Sequence, residues 1–263
     1  MSRPPSTRRP VPVHQRTSPE IPPAGIRQPS AARLKKEQSI LAEAERQFAQ
    51  VGFEGASLES IAAAANISRH NLLYYFPSKE ALYLRVLDDV LTQWLSGMEA
   101  MSQGDEPQAA LRQYIRAKLR SSLERPDAAK VFAREVIAGA PRYADVIAAR
   151  VGPVLKNDVR TFERWASEGR IARVNFMHLM FIIWSVTQAY ADQQTQFALL
   201  LGQPALSERD YEHAETLLCH LVLKGLEAPS RGSQAGGEPV GASAAPAGSP
   251  FIGSPGGKPK TVP

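Results

Sequence analysis

The 263-residue chain is 43% apolar and 22% charged, which is enough to bury one or two globular cores and excludes a wholly disordered protein. Its net charge of +5 is unevenly placed: residues 1–36 carry eight Arg and Lys against Glu20 alone, so the rest of the chain is slightly acidic. That layout expects a polyanionic partner near the N-terminus, while the single cysteine, Cys219, excludes an internal disulfide framework and fits a reducing compartment.

Residues 1–32 are rich in Pro, Arg and Ser. They lack the apolar block of a secretory signal, and their prolines break the amphipathic helix of an organelle transit peptide. This segment and the Pro/Gly/Ser/Ala-rich residues 229–263 bury too little apolar surface to offset their chain entropy, so both are expected to be disordered tails. A first helix is expected from Ala32 to Val51, with Ile40, Leu41, Ala44, Phe48 and Val51 on one face and Gly52 as the stop. Ser57 caps a short helix running to Ala64. Ala65-Asn66-Ile67 forms a turn, in which Asn66 takes the left-handed position, and Ser68 caps the next helix, which ends before Pro77.

Ser78 caps a long fourth helix with Leu82, Val86, Val90, Leu91, Trp94, Leu95 and Met98 on its apolar face. A fifth spans Pro107–Arg125, with Leu111, Tyr114, Ile115, Leu119 and Ser122 in register, and Pro126 ends it. Asp127–Ala138 is a sixth, and Pro141–Glu168 a seventh that Gly152-Pro153 should kink or break. Asn175 caps an eighth over Phe176–Leu201, and Ser207–Leu226 is a ninth. The apolar run at 176–184 contains His178 and falls far short of the roughly 20 residues that span a bilayer. With no period-2 pattern of useful length, the fold class is all-α, and the compartment expected is the cytoplasm.

Two short helices joined by a three- to four-residue turn can be held at the crossing angle that lays the second in a DNA major groove. Small residues Ala62–Ala65 permit close approach, and Ile61, Ile67, Leu72 and Leu73 fill the contact. Arg69, His70 and Asn71 then stand at the N-terminal end of the reading helix. Arg69 matches guanine O6/N7 and Asn71 matches adenine N6/N7, while His70 can donate to bases or phosphate. Ser57 and Ser68 are caps within reach of phosphates. Of Tyr74 and Tyr75, one is expected to pack inward and the other to meet a phosphate. Lys79, in the first turn of the fourth helix, opposes the helix dipole there and is expected to hold a phosphate.

With a helix before it and Tyr-Tyr-Phe-Pro-Ser-Lys-Glu-Ala-Leu after it, this segment resembles the TetR family of transcriptional regulators, closely over Ile40 to Tyr83. The resemblance implies a homodimer reading a palindromic operator in double-stranded DNA. It also implies an organisation into a basic arm (1–32), a three-helix DNA-binding domain with the helix-turn-helix (33–77), a helical effector-binding and dimerisation domain (78–228) and a tail (229–263). NLLYYFPSKEALY, Trp94, YIRAKL at 114–119, REVIAGAP at 134–141 and FIIWSVTQAYAD at 181–192 look like the pyrimidine-responsive Rut-type repressors within that family. This implies uracil or thymine as effector, pyrimidine-degradation genes as targets, and Trp94, Arg112, Gln188 and Tyr190 as pocket residues. Trp94 offers an aromatic face, and the Gln188 amide can pair with the imide edge of a base. Position 112 is usually lysine in that subgroup; arginine keeps the donors but is longer and planar.

The rival readings are a TetR-type regulator with a more lipophilic effector and a ligand-independent DNA-binding scaffold. An enzyme is not expected. The chain has no glycine-rich phosphate loop, no His-Glu-x-x-His and no nucleophile elbow. No catalytic residue, cofactor or metal is expected, since His178 and His213 lack partners at ligand spacing. The fourth helix carries Trp94 about 15 residues beyond Lys79, roughly 22 Å along a helical rod, and so links DNA to effector.

Overall fold

The computed structural model describes residues 30–228, so the tails expected at 1–32 and 229–263 lie outside the described residues except for positions 30–32. Among the described residues there are ten helices and no strand: α1 Ala31–Gly55, α2 Leu58–Ala64, α3 Arg69–Tyr75, α4 Lys79–Gln103, α5 Pro107–Glu124, α6 Pro126–Ile137, α7 Ala144–Ser167, α8 Phe176–Asp192, α9 Gln194–Leu200 and α10 Glu208–Gly225. Ser30 caps α1 by accepting from Arg33 N–H, so Ala31 and Ala32 are helical rather than part of the arm.

Three expected boundaries are corrected. The first helix does not stop at Gly52. The chain swings there through φ 73°, ψ 179° and resumes for one turn to Gly55; only glycine takes that conformation cheaply. α7 runs unbroken through Pro153. Pro153 is solvent-exposed, so water can pair with the carbonyl that loses its intrahelical donor. The eighth expected helix is two, divided at Gln193 (φ −109°, ψ 19°). No Gly or Pro marks this break. Contacts with α10 hold it, where Gln194 Nε2 donates to Tyr211 Oη at 2.8 Å and the Tyr211 hydroxyl donates to the Tyr190 carbonyl at 3.0 Å.

Ile40, Ala44, Phe48, Ile61 and Leu72 close the core of the three N-terminal helices. α4 leaves that core through Leu82, Val86 and Leu87 and enters the second with Val90, Leu91, Leu95 and Met98. α5 returns antiparallel to α4. Trp94 meets Ser121, a Cβ on Gly97 would lie 3.5 Å from the Tyr114 ring, and one on Gly104 would press against Ala110. α8 and α10 leave an apolar face in the open, with Ile182 and Val186 on one helix and Leu217 and Leu221 on the other. No helix among the described residues is long and apolar enough to cross a membrane.

Candidate functional site

The turn between α2 and α3 forms as its residues dictate. Ser57 and Ser68 cap the two helices by accepting from Ser60 N–H and Asn71 N–H, both at 3.1 Å. Asn66 holds φ 52°. Ala62 and Ala65 are buried in the contact, whereas Ala63 and Ala64 face solvent. Arg69, His70 and Asn71 are all exposed at the start of α3. The Arg69 guanidinium pairs through Nε with Glu59 of α2 at 2.7 Å, and its terminal nitrogens have no partner among the described residues. Tyr75 is the tyrosine turned inward; Tyr74 is 70% exposed and accepts from Arg33 Nη1 at 3.1 Å.

Lys79 is corrected. Its ammonium turns back onto the end of α1, donating to the carbonyls of Phe53 (2.8 Å), Ala56 (3.1 Å) and Glu54 (3.4 Å). It also lies 4.5 Å from the centroid of the Phe53 ring. The swing at Gly52 frees carbonyls at the negative end of α1, and a cation is favoured there.

In the second domain the structure brings Trp94 and Gln188 to neighbouring turns of one helix, α6. Trp94 stands edge-on to Phe132 at 4.8 Å, and Gln188 Nε2 donates to the Ala129 carbonyl at 3.2 Å and to Asp192 at 2.9 Å. Both Gln188 amide hydrogens are therefore engaged, and its carbonyl oxygen is the group left for a ligand. Arg112 and Tyr190 stand apart from that pair. Arg112 is exposed on the side of α5 toward Cys219 of α10. Tyr190 lies about 200° around α8 from Gln188 and packs on Phe197 and Tyr211, beside the α8–α10 groove.

The cation that meets Trp94 is Lys118. It is 6% exposed, and its Nζ sits 3.5 Å from the ring centroid, while the indole N–H donates to Ser121 Oγ at 3.3 Å. No hydrogen bond or ion pair to Nζ occurs among the described residues. Burial pushes this ammonium down to about 7. One turn back on α5, the Tyr114 hydroxyl accepts from Trp184 Nε1 at 2.6 Å. Lys118 was legible as a residue in register with Leu111, Tyr114, Ile115, Leu119 and Ser122. The Trp184–Tyr114 pair had no signal beyond two aromatic residues on apolar faces.

This cluster joins the DNA-reading end through α6. Three residues beyond Phe132, buried Glu135 accepts from the Tyr83 hydroxyl at 3.0 Å and from Arg142 N–H at 2.7 Å. Burial, then the bond to Glu135, pushes the Tyr83 phenol up. Arg142 stacks 3.8 Å from the centroid of Phe53 and donates to Glu54 at 2.8 Å. A continuous set of contacts thus runs from Trp94 through Phe132, Glu135 and Arg142 to the carbonyls that hold Lys79.

A helix-turn-helix set on a helical domain of this kind defines a one-component regulator, and the comparisons identify its family. Residues 40–86 match the profile described as bacterial regulatory proteins, tetR family, and residues 87–229 match the C-terminal region of YcdC-like protein. The chain belongs to the TetR family of transcriptional regulators, which bind operator DNA, dimerise and bind small-molecule effectors; they are not enzymes. It is 36% identical to the HTH-type transcriptional regulator RutR of Escherichia coli K12 over 197 residues, 75% of this chain and 93% of that protein. It is 30% identical to the regulator EthR of Mycolicibacterium smegmatis over 47% of this chain and 57% of that one. Among solved structures, AibR in complex with isovaleryl coenzyme A and operator DNA shares the fold at TM-score 0.55 and 18% identity, covering 72% of this chain and 98% of that one. The TetR-family regulator PfmR of Thermus thermophilus aligns at TM-score 0.53 and 21% identity, over 71% and 97%.

Proposed function

We propose that the protein is a cytoplasmic, homodimeric repressor of pyrimidine-degradation genes, released from a palindromic operator by uracil or thymine. The observation that carries the effector class is the pairing of half-buried Trp94 with buried Lys118. It joins a flat apolar face to an unneutralised donor, and the Gln188 amide nitrogen bonds to α6 beside it, leaving the Gln188 carbonyl free. A planar base stacks on the indole, gives a carbonyl oxygen to Lys118 and turns an N–H toward an acceptor. The likeness to the Rut-type repressors points to the same ligand. A purely aliphatic effector leaves the ammonium without an acceptor, which is costly.

A base inserted against Trp94 displaces Phe132, and with it α6. Glu135 then shifts against Tyr83 and Arg142, and the movement reaches Phe53 and the start of α4, which together set the angle of α3. The open α8–α10 face joins the protomers, and that pairing fixes the spacing of the two reading helices. Uracil or thymine should raise the melting temperature and release a palindromic operator at micromolar to millimolar concentrations, read by thermal shift and by DNA mobility. Silence to both bases, with release by acyl thioesters or other lipophilic compounds, would replace the pyrimidine with a lipophilic effector.

At the DNA, Arg69, His70 and Asn71 read bases while Ser57, Ser68 and Tyr74 approach phosphates. Arg69→Ala should cost about 1–3 kcal/mol on the cognate operator and much less on random DNA, flattening preference at one base pair per half-site. Equal losses on both DNAs would move Arg69 from base reading to backbone contact.

A further inference from the structure

α7 carries a buried carboxyl group that the effector site described above does not use. Asp158 is 0% exposed, and neither of its oxygens has a hydrogen-bond partner among the described residues. Arg150 and Glu163 of α7 do have partners, Asp88 at 2.7 Å and Arg173 at 2.6 Å. Buried polar groups are rarely left unpartnered in native proteins, and those that are call for an explanation in function or in a missing ligand. Burial pushes this carboxyl up to about 7, and the charge of Glu99 on α4 acts in the same direction. The Asp158 charge also helps to push up the phenol of Tyr114 on α5.

The location makes the group more than a packing fault. Along the antiparallel α4–α5 seam, Trp94 meets Lys118 and Ser121 at one level, and Gly97 meets Tyr114 at the next. Asn157, the residue before Asp158, donates to Ser102 of α4 at 3.1 Å, which sets the buried carboxyl against α4 beyond Gly97 as counted from Trp94. Gly97 contributes no side chain there, although a Cβ would lie at an ordinary contact distance of 3.5 Å from Tyr114. The seam therefore has a donor without an acceptor at one level, Lys118, and an acceptor without a donor further along, Asp158. A ligand with a carbonyl at one edge and an N–H at the other completes both. A hydrocarbon completes neither, and an ester, which has a carbonyl but no N–H, leaves Asp158 without a donor.

We propose that Asp158 is a specificity-determining residue of the effector site, accepting a hydrogen bond from an effector N–H and so selecting lactams and imides over ligands of equal size that lack that hydrogen. This rests on the effector lying against Trp94 and Lys118. Lys118 orients the ring by its oxygen; Asp158 decides whether the opposite edge is acceptable. A methyl group on the ring nitrogen both removes the donor and drives a carbon against the carboxyl group.

The test uses the full chain, with thermal shift and operator release read for wild type, Asp158→Leu and Asp158→Asn. The ligands are uracil, 1,3-dimethyluracil, the non-pyrimidine imides hydantoin and succinimide, and acyl thioesters. Wild type should respond to uracil and not to its dimethyl derivative. Asp158→Leu should fold, since it removes an unpartnered polar group, and should weaken uracil by about 10–100-fold, the worth of a hydrogen bond to a charged acceptor. Asp158→Asn keeps a carbonyl acceptor and should recover most of that loss; this rescue carries the test if the leucine variant does not fold. Uracil binding within twofold of wild type in Asp158→Leu, or equal response to the dimethyl compound, overturns the role of Asp158 and leaves the pyrimidine reading intact. A wild type that ignores pyrimidines but answers to another N–H donor, with that answer lost in Asp158→Leu, overturns the pyrimidine reading and supports Asp158. Response to acyl thioesters alone, or to nothing in the set, overturns both.

Discussion

Lys118→Met should raise the melting temperature of the free protein by about 5–10 °C near neutral pH and, in the same molecule, weaken its response to effector by at least about tenfold. The wild-type ammonium is 6% exposed, faces the Trp94 ring at 3.5 Å, and has been pushed by burial from 10.5 down to about 7. A desolvated cation–π contact returns about 2 kcal/mol, but each unit of pKa displacement represents about 1.4 kcal/mol against the charged native form. The cost wins by several kcal/mol. Methionine keeps the unbranched stem and its packing on Trp94 without the charge.

The sign of the pH dependence follows from the direction of the displacement. Between about pH 7 and 10.5 the unfolded chain keeps the lysine proton while the native protein has released it, so wild-type stability rises with pH across that window. At and below pH 7 both states are charged and the native state bears the full penalty. The methionine advantage should therefore be largest at pH 6–7 and shrink toward zero by about pH 10.5. Melting curves at several pH values separate this from a packing gain, which would not depend on pH. A lower melting temperature in the variant would mean that the ammonium is satisfied in the free protein and is no empty donor.

That residue also shows what a sequence displays and what it hides. Capping serines, the Asn66 turn and apolar spacing are local, so α2, α3 and α4 are legible from their own residues. Lys118 lies on the apolar face of α5 by simple helical register, yet a lysine is by default a solvated residue and the pattern steps over it. Arg112 entered through resemblance, and geometry sends it to the opposite side of α5. Gln188 and Tyr190 are two residues apart in the chain but face different helices, which neither motif nor resemblance resolves. The break at Gln193 is a tertiary effect, since Ala-Asp-Gln-Gln-Thr contains no helix breaker and only the contacts with Tyr211 fix the new direction. Glu135 is the same kind of case: its two partners, Tyr83 and Arg142, are 52 residues before it and seven after, and only folding unites them.

Lys79→Met should lower the melting temperature by about 5–10 °C and leave the salt dependence of operator binding unchanged. A lysine in the first turn of a helix is poorly placed for its own dipole, which is why a phosphate is the natural expectation for it. The structure supplies a different anionic partner, the end of α1. The swing at Gly52 removes that helix's last carbonyls from their ladder, and Lys79 collects those of Phe53, Glu54 and Ala56 with one ammonium. Hydrogen bonds to a charged donor contribute about 1.5–3 kcal/mol each when partners are left unmet. Partial solvation and shared geometry reduce the total to roughly 2–4 kcal/mol, far above the worth of a typical surface ion pair. Operator affinity should fall as well, equally on cognate and random sequences, because α1 and α4 frame the reading helix. Loss of a phosphate contact would instead lower the slope of log K against log salt by about 0.9. A reduced slope with an unchanged melting temperature would return Lys79 to the DNA. The expected result makes it a strut between α1 and α4, at the point where Phe53 and Arg142 deliver the movement of α6, so that weakening it should also blunt release by effector.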